Sequence, residues 1–320
     1  MSDNEILSLI VKSRKELPGQ VVSLELGTHD NSNLTAFSAG AHIDVHTKSG
    51  CIRQYSLWGS PEDTTVYKLG VLKELESRGG SRSIHDDIEI GDQLFVSEPR
   101  NHFPLVEASQ RNILIGGGIG ITPILSMAYQ LQAEGKDFSL HYCVMDQSKS
   151  AFWDVISSSA FADKAHLHCS HSNDAPSFDI DADIPQWEEG THLYTCGPSG
   201  FMDWILSGAE AKGYESAYRH KEDFGADVDT SGDTFTVEAR KSGVTVEVKD
   251  GQTIASVLKA AGVDIDVSCE EGVCGTCLSD VLEGDPDHRG EYLTDEEKVA
   301  GDVILVCCSR SKSPKLVLDL

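Results

Sequence analysis

Cys269, Cys274 and Cys277 follow one another as C-x4-C-x2-C, and Cys307 stands alone further on. Four thiolates at this spacing suit a plant-type [2Fe–2S] cluster, whose two irons and bridging sulfides need four sulfur ligands. Gly272 and Gly275 let a tight loop wrap such a cluster and turn backbone N–H groups toward its sulfurs. A structural zinc site and buried, metal-free cysteines are the competing uses. Zinc sites favour two short C-x2–4-C knuckles, which the isolated fourth thiol does not supply. Cys308 adjoins Cys307; if the pair lies on a strand, the two side chains point to opposite faces and only one reaches the cluster.

A second chemistry lies in Leu114-Ile115-Gly116-Gly117-Gly118-Ile119-Gly120-Ile121-Thr122-Pro123. It reads as strand, glycine turn and helix start, with Thr122 as N-cap and Pro123 as first helical residue. A helix N-terminus behind a loop without side chains favours a pyrophosphate. The strict G-x-G-x-x-G fingerprint is absent, because Ile121 takes the place of its third glycine, so a purely structural turn is the alternative. Tyr194-Thr195-Cys196-Gly197-Pro198-Ser199-Gly200 repeats the strand-to-helix turn. Two such turns at strand C-termini place a crevice at the switch point of a parallel sheet, with Cys196 facing it or filling a small apolar gap. Asp146 closes an apolar run and is placed to bind an adenine ribose hydroxyl, which favours NADH over NADPH.

The third element is Arg53-Gln54-Tyr55-Ser56-Leu57 together with Gly79-Gly80-Ser81. An aromatic ring and a hydroxyl on one strand offer a surface to a flat ring system, and an arginine with glycine-loop amides offers a phosphate cradle. An ordinary barrel strand and turn would look similar.

The elements that carry these residues follow from periodicity. Segments 20–26, 42–47, 52–57, 65–71 and 93–97 alternate at intervals of about ten residues between Gly, Asp, Asn, Ser and Pro clusters, which suggests an antiparallel barrel or sandwich. A helix-like stretch covers 73–78. From Arg111 the rhythm changes to apolar strands at 112–115, 138–144, 166–169 and 192–195 alternating with helices at 123–132 and 201–211, the pattern of a parallel sheet. An acidic stretch of small residues at 225–233 reads as a linker. A hairpin (235–240 and 244–248), a helix at 253–261, the cysteine cluster and a strand at 316–320 complete the chain. The division expected is 1–109, 110–226, a linker at 227–233, and 234–320.

The chain has 320 residues, 39% hydrophobic and 24% charged, an ordinary composition for a folded protein. No apolar run approaches the roughly 20 residues of a membrane span. The start Met1-Ser2-Asp3-Asn4-Glu5 lacks the basic flank of a secretory signal, so a cytoplasmic location is expected. Nine cysteines, an odd number, fit metal or redox use better than a disulfide framework. A formal charge of −26 disfavours nucleic acid and anionic membranes, and suits either plain solubility or docking on a basic protein surface.

In this order, the motifs resemble the phthalate dioxygenase reductase family, single-chain reductases of two-component Rieske oxygenases, to which the vanillate O-demethylase reductases belong. The resemblance covers essentially the whole chain. Its sharpest pieces are Arg53–Leu57, Arg78-Gly79-Gly80-Ser81, 116–127, Cys196-Gly197-Pro198, Glu222-Asp223-Phe224-Gly225, 269–277, Cys307-Cys308-Ser309-Arg310 and 316–320. It implies an FMN-binding barrel, an NAD-binding α/β domain with a parallel sheet, and a C-terminal plant-type ferredoxin of β-grasp fold. By position it implies that Arg53, Gln54, Tyr55 and Ser56 hold the flavin. Gly70, Val71 and Leu72 would line the isoalloxazine edge, Gly79, Gly80 and Ser81 would take the phosphate, and Phe224 would lie against the ring. Gly118, Thr122, Cys196, Gly197 and Pro198 would surround the nicotinamide nucleotide, with Thr122 and Cys196 as its catalytic side chains. The family's C-x-S-R makes Cys307 the fourth ligand and Cys308 the spacer. Trp58-Gly59 departs from the family, which varies at that point.

The resemblance implies an electron-splitting relay. NADH delivers a hydride to the flavin, and single electrons then pass through the cluster to a terminal oxygenase. Hydride moves directly between stacked rings, so positioning supplies the catalysis. Plant-type clusters lie near roughly −400 mV and Rieske centres at about −150 mV or above, so the last transfer runs downhill. Glu270, Glu271, Glu283 and Asp285 would steer docking of the oxygenase. A stand-alone NADH reductase of ferric chelates or quinones is the alternative enzyme. A redox sensor or carrier would keep the cluster but would not need matched flavin and nucleotide motifs.

Overall fold

The computed structural model describes residues 6–320 except 75–78, 173, 225–228, 268, 269, 271, 273, 274 and 291. The chain divides into two compact units between Glu222 and Asp223. The first unit opens with β1 (Ile6–Leu17), β2 (Val21–Gly27), β3 (His42–His46), β4 (Ile52–Ser56), β5 (Tyr67–Leu72), α1 (Gly80–Asp87) and β6 (Gln93–Ser97). Its strands pair antiparallel in the order β4-β3-β6-β1-β2-β5. A bridge from Leu57 to Leu69 joins the two ends of that order and closes a barrel rather than a sandwich. Leu24, Leu26, Ile43, Val45, Tyr67, Leu69 and Val71 fill it.

β1 was not among the alternating segments, because ILSLIVKSRKEL breaks the two-residue period. A register shift between Val11 and Ser13 is the reason: the strand pairs with β2 on both sides of the irregularity and also with β6. The helix-like reading of 73–78 does not hold at its start. The Lys73 N–H bonds the Gln20 carbonyl and prolongs the β-ladder, residues 75–78 lie outside the described set, and the helix begins only at Gly80.

The same unit continues with β7 (Arg111–Gly117), α2 (Ile121–Ala133), β8 (Asp137–Val144), α3 (Trp153–Ser157), β9 (Ala165–Cys169), α4 (Ile180–Asp183), β10 (Thr191–Cys196), α5 (Ser199–Ala211) and β11 (Arg219–Glu222). The strands form a parallel sheet in the order β11-β10-β7-β8-β9. The chain runs one way from β7 and then the other, so the switch point lies between β7 and β10, where both glycine turns emerge. α2 packs on one face and α5 on the other. The α2 face shares its core with the barrel: Val21, Ala39, Trp58 and Phe103 pack in one cluster with Leu114, Leu125, Tyr142 and Tyr194. Three polar ties cross the same seam. Gln130 Oε1 accepts from the Ala39 N–H (3.0 Å), Ser126 Oγ donates to the Gly59 carbonyl (3.0 Å), and Tyr194 Oη accepts from the Val106 N–H (2.9 Å).

The second unit holds β12 (Phe235–Ala239), β13 (Val244–Val248), α6 (Ile254–Ala260), β14 (Leu278–Glu283), β15 (Pro286–Asp287), α7 (Asp295–Ala300), β16 (Val303–Leu305), β17 (Arg310–Ser311) and β18 (Lys315–Leu318). The β12–β13 hairpin is antiparallel, β18 returns parallel to β12, and the sheet order is β13-β12-β18-β14-β16. With α6 packed on it, this is the β-grasp arrangement. Thr253 caps α6 by accepting from the Ser256 N–H (3.1 Å).

Arg310, 2% exposed, is the keystone of this unit. Its guanidinium donates to the carbonyls of Thr230 (2.8 Å), Gln252 (2.8 Å) and Asp233 (2.9 Å), and lies over the Phe235 ring. Residues 230–233, expected as linker, are therefore gripped by the fold. Among the described residues no helix is long and apolar enough to cross a membrane. Arg310→Lys keeps the charge but loses the planar fork, leaving buried carbonyls unmatched at a cost of about 3 kcal/mol. The expected result is an earlier loss of cluster absorbance on heating; an unchanged midpoint would contradict the keystone role.

Candidate functional site

Two close backbone approaches build the crevice of the first unit. A Cβ on Gly120 would lie 2.4 Å from the carbonyl carbon and oxygen of Cys196, so only glycine lets the turn after β7 touch the turn after β10. A Cβ on Gly70 would lie 2.6 Å from the Phe152 ring and 3.0 Å from Thr122 Cγ2, which brings barrel strand β5 against the start of α2. Gly70, Thr122 and Cys196, assigned from different motifs, thus converge on one junction. Thr122 enters it differently from expectation. The N-cap of α2 is Gly120, and Thr122 sits in the first turn, its hydroxyl donating to the Ile119 carbonyl (3.0 Å). Pro123 is tolerated there because first-turn N–H groups have no partner within the helix.

The remaining turn residues border the same edge. Gly118 has φ +57, and Gly197 packs within 3.0–3.1 Å of Gly117 as judged from its missing Cβ. Pro198 is the N-cap of α5. Asp146 follows β8 at the C-terminal edge of the sheet and accepts from the Ser148 hydroxyl. Trp58-Gly59 serves the seam: the indole packs edge-on against Phe152 (5.4 Å), and the Gly59 carbonyl receives Ser126.

On the barrel side, Arg53, Gln54 and Tyr55 are half-buried and Ser56 is buried. The Arg53 stem packs over Gly80, leaving no room for a side chain there. Gln54 donates to Asp44 (3.1 Å), which also pairs with Arg100 (2.7 Å). The N-cap of α1 is Gly79, with φ +104 and open space where a Cβ would be. A helix N-terminus whose cap has no side chain, beside an arginine, fits a phosphate. Ser81 Oγ accepts from the Glu74 N–H (3.2 Å). Val71 buries its side chain in the barrel, its carbonyl faces His85 Nε2 (2.9 Å), and Leu72 is half-buried. Phe224, 39% exposed, belongs to the second unit.

Glu222 opens the Glu222-Asp223-Phe224-Gly225 motif, and its surroundings are set by the fold. It ends β11 in register with Cys196. Ser56 Oγ donates to its carboxyl (3.4 Å), and His42 Nδ1 lies 3.9 Å away. Burial pushes this carboxyl up to about 8, against the smaller opposing effect of the Ser56 hydrogen bond. Nothing in Arg219-His220-Lys221-Glu222 signals this, because the burial arises from the β10–β11 register and the barrel wall.

In the second unit, Cys277 and Cys307 are both buried, and the Val306 N–H reaches the Cys277 carbonyl (3.4 Å). Gly272 and Gly275 have φ +77 and +75. Without side chains they let the loop lie against Cys308 and the Tyr292 ring. Buried cysteines on a glycine-bent loop suit an iron–sulfur cluster. Cys269 and Cys274 lie outside the described residues. Cys307 and Cys308 do not occupy a strand; they fall in a turn after β16, where the Cys308 and Ser309 N–H groups both bond the Leu305 carbonyl. Strand alternation therefore does not choose between them. Cys308 Sγ lies against Gly272 and Gly290.

A barrel with a phosphate cradle, a parallel sheet with two glycine turns at its switch point, and a β-grasp unit with clustered cysteines define a modular pyridine-nucleotide reductase. Comparison with known proteins agrees. Residues 237–312 match the 2Fe-2S iron-sulfur cluster binding domain. The chain is 43% identical over 317 residues to a vanillate O-demethylase oxidoreductase of Pseudomonas sp. (strain HR199 / DSM 7063), covering 98% of this chain and 100% of the relative. It is 39% identical to the carnitine monooxygenase reductase subunit of Escherichia coli (strain K12), with all of both chains covered. The solved structure of phthalate dioxygenase reductase, described as modular for electron transfer from pyridine nucleotides to [2Fe-2S], superposes with a TM-score of 0.81 at 37% identity over 99% of each chain. The chain belongs to the phthalate dioxygenase reductase family and is an oxidoreductase of the oxygenase-reductase type.

Glu222 gives a pH signature. The folded state retains a proton that the unfolded carboxyl, near 4.5, releases, so its stabilising contribution is full below about pH 4.5 and is lost as pH rises through about 8. Glu222→Gln is expected to flatten that part of the stability–pH curve and to unfold at a higher temperature than the parent at pH 9. Parallel curves for the two proteins would refute the buried-carboxyl assignment.

Proposed function

We propose that this chain takes two electrons from NADH, divides them at FMN, and passes them singly through a [2Fe–2S] cluster to the Rieske centre of a separate oxygenase in the cytoplasm. The observation that carries the proposal is the junction of Gly70, Thr122, Gly120 and Cys196, where barrel and parallel sheet meet at the switch point. When bound, FMN couples a two-electron donor to one-electron carriers, and the cluster is the one-electron carrier.

The chain's own residues bind and orient. Arg53 and the first-turn N–H groups of Gly80 and Ser81 hold the flavin phosphate. Gln54, Tyr55 and Ser56 hold the ring system, and Gly70, Val71 and Leu72 line its edge. Gly118, Gly197 and Pro198 admit the pyrophosphate and nicotinamide of NADH, with Asp146 on the ribose. Thr122 and Cys196 fix where the nicotinamide lies, which matters because transfer between stacked rings depends on distance and alignment. Glu222, protonated near neutrality, keeps Ser56 in place without putting a negative charge beside the flavin. Cys269, Cys274, Cys277 and Cys307 are the cluster ligands. The chain is organised as 1–109, 110–226 and 234–320, with residues 230–233 ahead of the last part held by Arg310.

The partner is a protein, and the formal charge of −26 suits a basic docking surface. Asp285 and Glu283 are both exposed, the first 4.0 Å from Lys312 and the second paired with Arg240 (2.8 Å), and Glu271 lies outside the described residues. Oxygenase-coupled turnover is expected to fall steeply with salt while NADH–ferricyanide turnover stays flat. Equal salt sensitivity of the two would contradict acidic steering.

Cys277→Ser tests the order of carriers. NADH-dependent reduction of ferricyanide, which draws on the flavin, is expected to persist while transfer to a Rieske oxygenase is lost. Retained oxygenase coupling would overturn the relay.

A further inference from the structure

The parallel sheet carries a second cluster of metal-ligating side chains that the relay does not use. Strand alternation sorts β8 into two faces. Phe138, Leu140, Tyr142 and Val144 enter the core shared with the barrel. Ser139, His141 and Cys143 face the other way. On β9 the register sets His166 opposite His141 and His168 opposite Cys143. Asp183, the last residue of α4, reaches the same place.

His141 and His168 are 4% and 5% exposed. His141 Nδ1 lies 3.0 Å from His168 Nε2, and His141 Nε2 lies 3.2 Å from Ser139 Oγ. His168 Nδ1 is 3.8 Å from the Asp183 carboxylate, too far for a hydrogen bond, and lies beside the backbone of Pro176 and Ser177. The Phe178 ring stands edge-on to both imidazoles, and exposed His166 stacks on His141 (5.2 Å).

We propose that His141, His168 and Asp183 form a binding site for one divalent transition-metal ion of the zinc class, built from residues other than the cluster cysteines. One ligating atom from each residue falls within 4.8 Å of the other two. Tetrahedral zinc with bonds of about 2.0–2.1 Å sets its nitrogen ligands roughly 3.3 Å apart, close to the imidazole spacing already present. Only the Asp183 carboxylate, 22% exposed, must swing inward. Two imidazoles and one carboxylate match zinc in softness and leave a fourth position for water. Burial favours the neutral, ligating form of both rings, holding His141 at about 3 and lowering His168. Ser139 would then orient His141 from behind the metal.

The test is calorimetric titration of the flavin- and cluster-loaded protein with zinc chloride, followed by X-ray absorption at the zinc edge. The expected result is saturable uptake of one zinc per chain, with only nitrogen and oxygen in the first shell. Affinity should weaken at least tenfold in His141→Gln and in Asp183→Asn. The parent's flavin and cluster spectrum serves as the folding check. Should His141→Gln fail to fold, Asp183→Asn decides alone, since its side chain is partly exposed at a helix end. Absence of saturable uptake, sulfur in the first shell, or parental affinity in the folded variants would overturn the site.

Discussion

The first unit depends on a steric constraint: at Gly120 and Gly70 there is no room for a β-carbon. At Gly120 the obstacle is the backbone of Cys196, which cannot rotate away. The turn after β7 and the turn after β10 can therefore meet only if the residue between them has no side chain. At Gly70 the barrel wall closes on Thr122 and Phe152 by the same means. The two glycine turns meet at the first contact, and barrel residue Gly70 meets the start of α2 at the second. The shared apolar core behind them, with Trp58 and Phe152 across the seam, holds barrel and sheet in one register.

Burying a carboxyl at that junction follows from the same closure. Glu222 ends a strand whose neighbour is Cys196 and meets the barrel residue Ser56, so little of its side chain reaches water. Holding a charge in so enclosed a place is costly, and burial makes protonation the cheaper state. The second unit solves a different problem, the anchoring of a small domain around a cysteine loop. A buried arginine, spent on backbone carbonyls rather than on a carboxylate, ties the chain leading into the unit to the turn that carries Cys307.

Much of this was legible in the sequence because the signals were local. The C-x4-C-x2-C spacing, the two strand–glycine–helix turns and the Arg53–Ser56 strand each carry their chemistry within a few residues, and the change from two-residue alternation to strand–helix alternation gave the fold class. What escaped depends on register or on breaks in period. β1 hid behind its irregularity at Val11–Ser13, and α7, with β15 and β17, was too short to show a pattern. α2 starts two residues before the Thr122-Pro123 pair that looks like its cap, because Gly120 takes the N-cap position. Glu222 and the His141–His168 pair become visible only when β10 is paired with β11 and β8 with β9.

The central claim is that one chain joins a nucleotide-reduced flavin to an iron–sulfur cluster. The most direct measurement is the anaerobic visible spectrum of the purified protein before and after NADH, with the acid-released flavin identified. The relay predicts FMN in the extract and overlapping flavin and iron–sulfur bands that bleach together. Bleaching of the flavin alone, beside a cluster that is absent or stays oxidised, would contradict it.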